Sequence, residues 1–215
     1  MSLRAALQHL YHPATSTTAG RESRAQKREA DISGSGGAAG ENSIMKEYEE
    51  FVSNEYATQR ESGKPGEVFQ NRNEDHAKVV IPYLFKGAEQ WVHLVTNAAN
   101  TVVYGSPGVI DAALTFLREK KDGQVSILSE TKLDRAEHPF FKATDAEPEL
   151  RERVHLGFIS ESAQQDYGCN FGVNDRGDWR FEATRNTPEA LVQFGGKDFA
   201  VELDHIFQDL SASTN

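Results

Sequence analysis

Charged side chains alternate with apolar ones along a predicted strand near the C-terminus of the chain. Arg180 and Glu182 are two residues apart, so both project from one face of that strand. Asp175 lies in the preceding turn, within reach of Arg180. Such a set is either a charge-paired strand face, which stabilises little when it is exposed, or a polar site that binds a ligand. We take Asp175, Arg180 and Glu182 as the candidate polar site.

His76 and Lys78 form a second candidate. Their His-x-Lys spacing matches that of phospholipase D-type phosphodiesterases, in which an Asp stands after four further residues. Tyr83 occupies that position here. Asn73 followed by two acidic residues predicts a helix start, whereas the phosphodiesterase motif requires a strand and a turn. The match is therefore interpreted as a coincidence, and a phosphodiesterase site at His76 and Lys78 is kept as the alternative.

Ser106 is the candidate anion site. The sequence Gly105-Ser106-Pro107-Gly108 stands before the N-terminus of a predicted helix, where backbone N–H groups can hold an anion. It lacks the glycine and lysine pattern of a P-loop and the three-glycine pattern of a dinucleotide site. A turn that caps the helix is the simpler interpretation.

The histidines and the single cysteine predict no metal site, and no cofactor is expected. None of the seven histidines is spaced as H-x-x-x-H or H-E-x-x-H. His93 and His155 lie within apolar strands and are interpreted as hydrogen-bonded sheet residues. Cys169 has no nucleophile motif around it and is interpreted as a buried, inert thiol.

The charge of the chain limits its partners. The formal net charge is −10 over 215 residues. A broad phosphate-binding surface needs clustered Lys and Arg, so nucleic acid is disfavoured as a partner. No apolar run is long enough to cross a bilayer, and one cysteine cannot form an intramolecular disulfide. We expect a cytoplasmic protein with one domain and no membrane contact.

Residues 1–41 differ in composition from the rest of the chain. They are rich in Ala, Gly, Ser and Thr and predict a disordered tail. Arg4 and Arg21, with no acidic residue before Glu22, resemble an organellar transit peptide. Two simpler interpretations are a flexible tail, or an upstream start codon with Met45 near the true beginning.

The elements that position the candidate residues follow from hydrophobic periodicity. Residues 42–62 predict an amphipathic helix. Docking on the core is the simpler interpretation, and a contact with a partner is the alternative. Trp91–Val95 and Val125–Leu128 predict strands on either side of a helix that opens at Ser106, and this βαβ unit favours a parallel sheet. Thr101–Tyr104 predicts either a second short strand or a returning segment. Segments 131–145 and 160–167 predict irregular loops.

The last third of the chain predicts a hairpin, another strand and a closing helix. Asp175-Arg176-Gly177-Asp178 supplies the turn of the hairpin. Ala190–Phe194 predicts the next strand. Large apolar residues then recur at three- and four-residue spacing, which is typical of a helix with one apolar face: Phe199, Leu203, Ile206, Phe207 and Leu210.

The segment from residue 67 to 211 resembles phospholipase D-like domains. The resemblance is carried by Val173-Asn174-Asp175 and Trp179-Arg180-Phe181-Glu182, by Ala190–Phe194, and upstream by Asn71–His76 and Trp91–Val95. It implies an α/β sandwich with a mixed central sheet flanked by helices. Active members use two histidines and a lysine for covalent phosphoryl chemistry, and they pair two motif copies within one chain or across a homodimer.

The resemblance also implies what this chain lacks. The strand expected to carry the motif, Cys169–Asp175, contains neither histidine nor lysine. No catalytic residue is therefore transferred, and we expect a catalytically inactive domain that binds, regulates or scaffolds, with a protein partner or a homodimer. From the resemblance alone, a bacterial multi-protein system of the defence type is a fitting context. Two alternatives stay open: a phosphodiesterase or nuclease with an altered site, and an unrelated α/β protein that binds an anion at Ser106.

Overall fold

The computed structural model describes residues 38–184 and 189–214, with the backbone only for residues 38–42 and 165–166. The tail predicted for residues 1–41 lies almost wholly outside the described residues. The helices are α1 Ala38–Ser62, α2 Glu74–Gly87, α3 Thr101–Tyr104, α4 Pro107–Glu119, α5 Pro139–Asp145, α6 Pro148–Arg151, α7 Glu161–Asp166 and α8 Lys197–Ala212. The strands are β1 Phe69–Asn71, β2 Trp91–Thr96, β3 Gln124–Ser129, β4 Val154–Phe158, β5 Asn170–Asn174, β6 Trp179–Glu182 and β7 Ala190–Gln193.

The described strands form one mixed sheet in the order β1-β7-β6-β5-β2-β3-β4. Strands β2, β3 and β4 are parallel, and Leu94 of β2 is in register with Ile127 of β3. The other neighbours are antiparallel, and Leu94 is in register with Gly172 of β5 on its other side. The predicted mixed sheet is confirmed, and β2 is the strand at which its parallel and antiparallel halves meet.

Helices cover both faces of the sheet. Helices α2 and α4 bury one continuous core against β2 and β3, with Leu84, Phe85, Leu94, Leu117 and Ile127 at its centre. Helix α8 packs on the opposite face, where Phe199 contacts the rings of Trp179 and Phe181, and Phe207 stacks on His93. Burial of each such large apolar side chain contributes about 1.5–3 kcal/mol. The layers are therefore helix, sheet and helix.

The hairpin between β5 and β6 forms where the sequence predicts it. Asn174 Oδ1 accepts hydrogen bonds from the backbone N–H of Arg176 and of Asp178, both at 3.0 Å. Gly177 adopts φ +88°, a conformation that glycine reaches without steric cost. The hairpin places Arg180 and Glu182 on β6, directly beside Gly172 and Asn170 of β5.

Helix α1 begins at Ala38, earlier than the expected residue 42, and ends at Ser62 as predicted. From Tyr48 onward it belongs to the compact unit that extends to the C-terminus. Val52 is fully buried, and the Tyr56 ring packs edge-on against Phe194 at 5.3 Å between centroids. This part of the helix docks on the core, in agreement with its predicted apolar face.

Three short segments differ from the sequence prediction because local caps favour helices. Thr101–Tyr104 is a helical turn rather than a strand, since the Asn100 side chain accepts a hydrogen bond from the N–H of Val102. His138 caps α5 in the same way inside the segment predicted as a loop. Ser160 caps α7, whose helical turns replace the second predicted loop.

Candidate functional site

A cavity opens at the carboxyl end of β2, beside the beginning of β5. Its volume is about 560 Å³, which is within the usual range of small-molecule sites. Open α/β sheets commonly bind ligands outside the carboxyl ends of their strands. The cavity is lined by Glu74, Ala77, Ile81, Val95, Thr96, Asn97, Ala98, Asn100, Thr101, Val103, Tyr104, Asn170, Phe171, Arg180 and Glu182.

Arg180 is the buried cation of the cavity, with 5% of its surface exposed. Its Nε donates to Asn71 Oδ1 at 2.6 Å, and its Nη1 donates to Glu182 Oε1 at 2.5 Å. Asn71, on β1, is fully buried. A buried guanidinium is tolerated only when it is paired and hydrogen-bonded, and these two contacts supply that compensation.

Asn170 extends the network on β5. Its Nδ2 donates to Glu182 Oε2 at 2.8 Å, so Glu182 accepts from Arg180 with one oxygen and from Asn170 with the other. Asn170 Oδ1 is buried and has no hydrogen-bond partner among the described residues. The network therefore ends in a buried, unsatisfied acceptor.

Tyr104 lies beside this network. Burial raises the pKa of its phenol to about 12, against the opposing effect of Arg180. Thr96, at the end of β2, also opposes the rise in this pKa. Because its pKa is so high, Tyr104 stays protonated near neutral pH and acts as a hydrogen-bonding group rather than as a base.

The segment between β2 and α3 forms one wall of the cavity and contains strained backbone. Ala99 has φ +42°, which is uncommon for a residue with a side chain. Thr96 Oγ1 accepts from Ala99 N–H at 3.1 Å, and His138 Nε2 lies 2.6 Å from the Ala99 carbonyl oxygen. Backbone strain of this kind persists where surrounding contacts fix it, and it is concentrated at functional sites.

The structure places the three residues of the predicted polar site in two places. Arg180 and Glu182 share the cavity. Asp175 lies in the turn after β5, where its Oδ1 accepts from the N–H groups of Glu89, Gln90 and Trp91 at 2.9–3.3 Å. The pairing of Asp175 with Arg180 that the sequence suggested is not made, because the turn directs the Asp175 carboxylate to the segment before β2.

His76 and Lys78 lie on helix α2, as its predicted N-terminus implied, and neither lines the cavity. The His76 ring stacks on Tyr48 at 3.7 Å between centroids, and burial, reinforced by Arg72, lowers its pKa. Lys78 Nζ lies 2.8 Å from Asp75 Oδ1. Residues two apart on a helix face different directions, so these side chains do not converge on a common substrate position.

Ser106, the candidate anion site, precedes helix α4. Its Oγ donates to the Val103 carbonyl at 2.7 Å, and its side chain makes no capping hydrogen bond to α4. Pro107 occupies the first helical position and has no N–H to offer. The hydroxyl is therefore used to close the preceding turn.

His93 and Cys169 have the environments expected for residues of the sheet. The ring of His93 stacks between Trp91 and Phe207, and its Nδ1 lies 2.9 Å from Asp204 Oδ1. Burial lowers the pKa of His93, against the opposing effect of Asp204. Cys169 is buried.

Sequence reasoning missed most of the polar residues of the cavity and of the hydrogen-bond network behind it. Asn71, Thr96, Tyr104 and Asn170 come from four separate elements and share no local spacing. One signal was present: Asn170 begins an apolar strand, and a buried amide in that position needs a partner. Among the described residues, no three His, Cys, Asp or Glu side chains are grouped as a metal site requires.

Comparison with known proteins identifies the fold. No family model matches the chain, and no curated protein matches it in sequence. The structure of Nuc from Salmonella typhimurium, a phospholipase D family member, superposes with a TM-score of 0.50 at 14% identity, over 71% of this chain and 97% of Nuc. The described part of the chain therefore has a phospholipase D-like α/β fold, with a mixed seven-stranded sheet flanked by helices.

Two further structures match less well. The archaeal chromatin protein TrmBL2, described with a novel mode of DNA binding, gives a TM-score of 0.49 at 12% identity, over 83% of this chain and 69% of its own. NucT from Helicobacter pylori gives 0.46 at 10% identity, over 69% of this chain and 98% of its own. In the part of the chain that the structure describes, no helix is long and apolar enough to span a membrane.

Proposed function

We propose that this chain is a catalytically inactive phospholipase D-like domain that acts as a binding, regulatory or scaffolding module. One observation carries the proposal: among the described residues that line the cavity there is no histidine, lysine, cysteine or serine. The covalent phosphoryl chemistry of active phospholipase D-like members uses two histidines and a lysine. The cavity instead presents amides, two carboxylates, hydroxyls and one paired guanidinium.

The contacts of Arg180 support binding rather than catalysis. In an electrostatic clamp, the guanidinium is free to meet negative charge that develops on the substrate. Here Nε and Nη1 donate to Asn71 and Glu182. A phosphate at this position would compete with the Glu182 carboxylate and would be repelled by it.

The partner that we propose is another protein or a second copy of this chain. The net charge of −10 supports this choice over nucleic acid, since backbone phosphates bind to clustered Lys and Arg. A measurement of molecular mass by light scattering, over a range of concentrations, tests the homodimer. A constant monomer mass would leave a different protein as the partner.

Hydrolysis assays test the proposed inactivity. The full chain would be incubated with bis(p-nitrophenyl) phosphate and with single- and double-stranded nucleic acid, with and without divalent metal. We expect no turnover above that of Arg180→Met. Turnover that is lost in Arg180→Met would overturn the proposal, whereas equal rates in the unaltered chain, Arg180→Met and His76→Ala would indicate a contaminating hydrolase.

A phosphodiesterase or nuclease with an altered site is the second candidate. The observation that favours it is the cavity itself, which combines a buried guanidinium with carboxylates at the carboxyl end of β2. The same assays distinguish two possible positions of its active site. Loss of turnover in Arg180→Met would assign the reaction to the cavity, and loss in His76→Ala would assign it to the His76 and Lys78 pair.

A further inference from the structure

The two edges of the sheet differ in how their backbone groups are used. At the β1 edge, the Gln70 carbonyl accepts a hydrogen bond from the Tyr48 hydroxyl of helix α1 at 3.4 Å. At the β4 edge, β3 is the only strand that pairs with β4 among the described residues. His155 of β4 is exposed, and residues 156–158 are half-buried. The β4 edge is therefore accessible to another chain.

The hydrogen bonds to β3 show which residues of β4 face outward. The Arg153 carbonyl accepts from the N–H of Val125 on β3 at 2.9 Å. Ile159 N–H donates to the Ser129 carbonyl, also at 2.9 Å. Alternate residues of a parallel strand bond to one neighbour, so the residues between them direct their N–H and C=O groups away from it. The outward residues of β4 are Val154, Leu156 and Phe158.

Most of these outward backbone groups are unpaired. The N–H and C=O groups of Leu156 and Phe158 have no hydrogen-bond partner among the described residues. The Val154 carbonyl accepts from Arg135 Nη1 at 2.9 Å. Arg135 approaches from the helical layer, where its guanidinium stacks on Phe141. A carbonyl oxygen can accept a second hydrogen bond, so this contact leaves the edge able to pair.

The sequence of β4 lacks the residues that usually keep an edge strand from pairing. Val154–Phe158 contains no proline, lysine, arginine or acidic residue, and natural edge strands use such residues against association. Leu156 packs against the core beneath α2 and α4, and its half-buried side chain extends that apolar surface to the edge. An edge of this kind favours the addition of another strand.

The pattern of β4 is complementary to itself. In an antiparallel pair with a twofold axis at Leu156, every outward residue meets an outward residue of the second copy. Leu156 lies opposite Leu156, and Val154 lies opposite Phe158. On the other face of the sheet, His155 lies opposite Gly157, which has no side chain to collide with it. Such a contact is isologous, as in most homodimers.

We propose that a second copy of this chain pairs with the β4 edge, so that the two seven-stranded sheets join into one continuous sheet. The inference rests on the proposed function, because it names the surface at which this module meets its partner. The ladder is short, and the dimer therefore belongs to the small, weak class of interfaces.

Light scattering of the full chain from about 1 μM to about 500 μM covers dissociation constants typical of small interfaces. We expect the mass to rise from 23.9 kDa towards twice that value. Leu156→Pro removes the outward N–H at the twofold axis and no hydrogen bond to β3, and proline is tolerated in edge strands. It should lower the association constant at least about tenfold, because both symmetric hydrogen bonds are lost.

Leu156→Ala is the matched control. It removes the same side chain but keeps the N–H group, so it should associate more strongly than Leu156→Pro. Circular dichroism reports whether both variants keep the fold.

Amide-resolved deuterium exchange of the unaltered chain provides a measurement that needs no variant. The N–H groups of Leu156 and Phe158 should exchange more slowly as the concentration is raised. The N–H of Gly108, in the first turn of α4, should show no such change. If Leu156→Pro does not fold, this protection still decides whether β4 pairs.

The outcomes separate this inference from the proposed function. A mass that stays at 23.9 kDa, or a dimer that is equally stable in Leu156→Pro and Leu156→Ala, would overturn pairing at β4. Either result would leave an inactive module that meets its partner elsewhere. Hydrolytic turnover that depends on Arg180 would overturn the proposed function, whereas the mass and exchange measurements would still decide the β4 pairing.

Discussion

Arg60, in the last turn of helix α1, forms an ion pair with Asp178, which follows the turn between β5 and β6 and is fully buried. Asp178 also accepts hydrogen bonds from the backbone N–H of Gly195 and from Asn174 Nδ2, both at 2.9 Å. Burial raises the pKa of Asp178, against the opposing effects of Arg60 and these donors. One carboxylate thus connects α1, the hairpin and the segment before α8.

Loss of the Arg60 guanidinium should therefore destabilise the protein strongly. We expect Arg60→Met to lower the free energy of unfolding by about 3 kcal/mol, because it leaves a buried carboxylate without its cation. Urea unfolding at neutral pH measures the change. Arg118→Met is the control, since Arg118 and Glu147 form an exposed pair that contributes about 0–1 kcal/mol. Similar losses in the two variants would contradict the role of Asp178.

Gly87 should be intolerant of a side chain because of the same ion pair. A Cβ at Gly87 would collide with Asp178 Oδ2 and Arg60 Nη2 and would lie 3.0 Å from Asn174 Nδ2. We expect Gly87→Ala to lower the free energy of unfolding by about 1–3 kcal/mol. Gly108→Ala is the matched control in α4, where no atom lies within 4 Å of an added Cβ.

The control should change stability in the opposite direction. Gly108→Ala should raise the melting temperature slightly, because alanine favours a helix by about 0.5–1 kcal/mol over glycine. Thermal unfolding of the two variants side by side gives the comparison. A neutral effect of Gly87→Ala would mean that Arg60 and Asp178 can separate without loss.

Arg180 and Glu182 should be strongly coupled. We expect Arg180→Met and Glu182→Leu each to lower the free energy of unfolding by about 3 kcal/mol, because each leaves a buried charge without its partner. The double variant should be more stable than the sum of the two losses predicts, since both charges are then absent. A double-mutant cycle by urea unfolding measures the coupling, and additive losses would contradict it.

Two histidines should make the fold sensitive to mild acid. Burial is the main cause that lowers the pKa of both His76 and His93 in the folded state. In mild acid the unfolded chain therefore binds more protons than the folded chain. The stability that comes from the two neutral imidazoles is present above a pH of about 6.5 and is lost as the pH falls through the lower folded pKa values. His76→Phe keeps an aromatic ring beside Tyr48 and cannot be protonated, so it should lose less stability than the unaltered chain between pH 7 and pH 5.

Urea unfolding at the two pH values provides the measurement. His155→Gln, a change of an exposed histidine on β4, is the control for replacing a histidine. If His76→Phe and the unaltered chain lose the same stability, then His76 does not contribute to the acid sensitivity.

The sequence predicts the sheet well because strand and helix periodicity are local signals. The βαβ unit around Ser106 and the hairpin at Asp175–Asp178 form as expected. Thr101–Tyr104 was ambiguous because β-branched residues favour a strand, whereas the Asn100 cap favours a helix. In such short segments the capping hydrogen bond decides whether a helix forms. That hydrogen bond depends on where the fold holds the capping residue.

The cavity could be predicted only in part. Arg180 and Glu182 were found because a strand places residues two apart on one face. Their true partners, Asn71 and Asn170, come from strands whose positions depend on the whole sheet. Asp175 was expected to pair with Arg180 because the two are close in sequence. Its carboxylate instead accepts hydrogen bonds from backbone N–H groups that lie 84 to 86 residues away.

The junction of β2 with β5 also has a consequence for the order of folding. The β5–β6–β7 meander and the β2–β3 crossover each close over short or moderate loops, whereas the β2–β5 ladder pairs Val92 with Asn174. Chain closure over such a separation is slow compared with local pairing. We expect two preformed halves to join late along this ladder, so the cavity, which lies at its end, is completed only in the last step of folding.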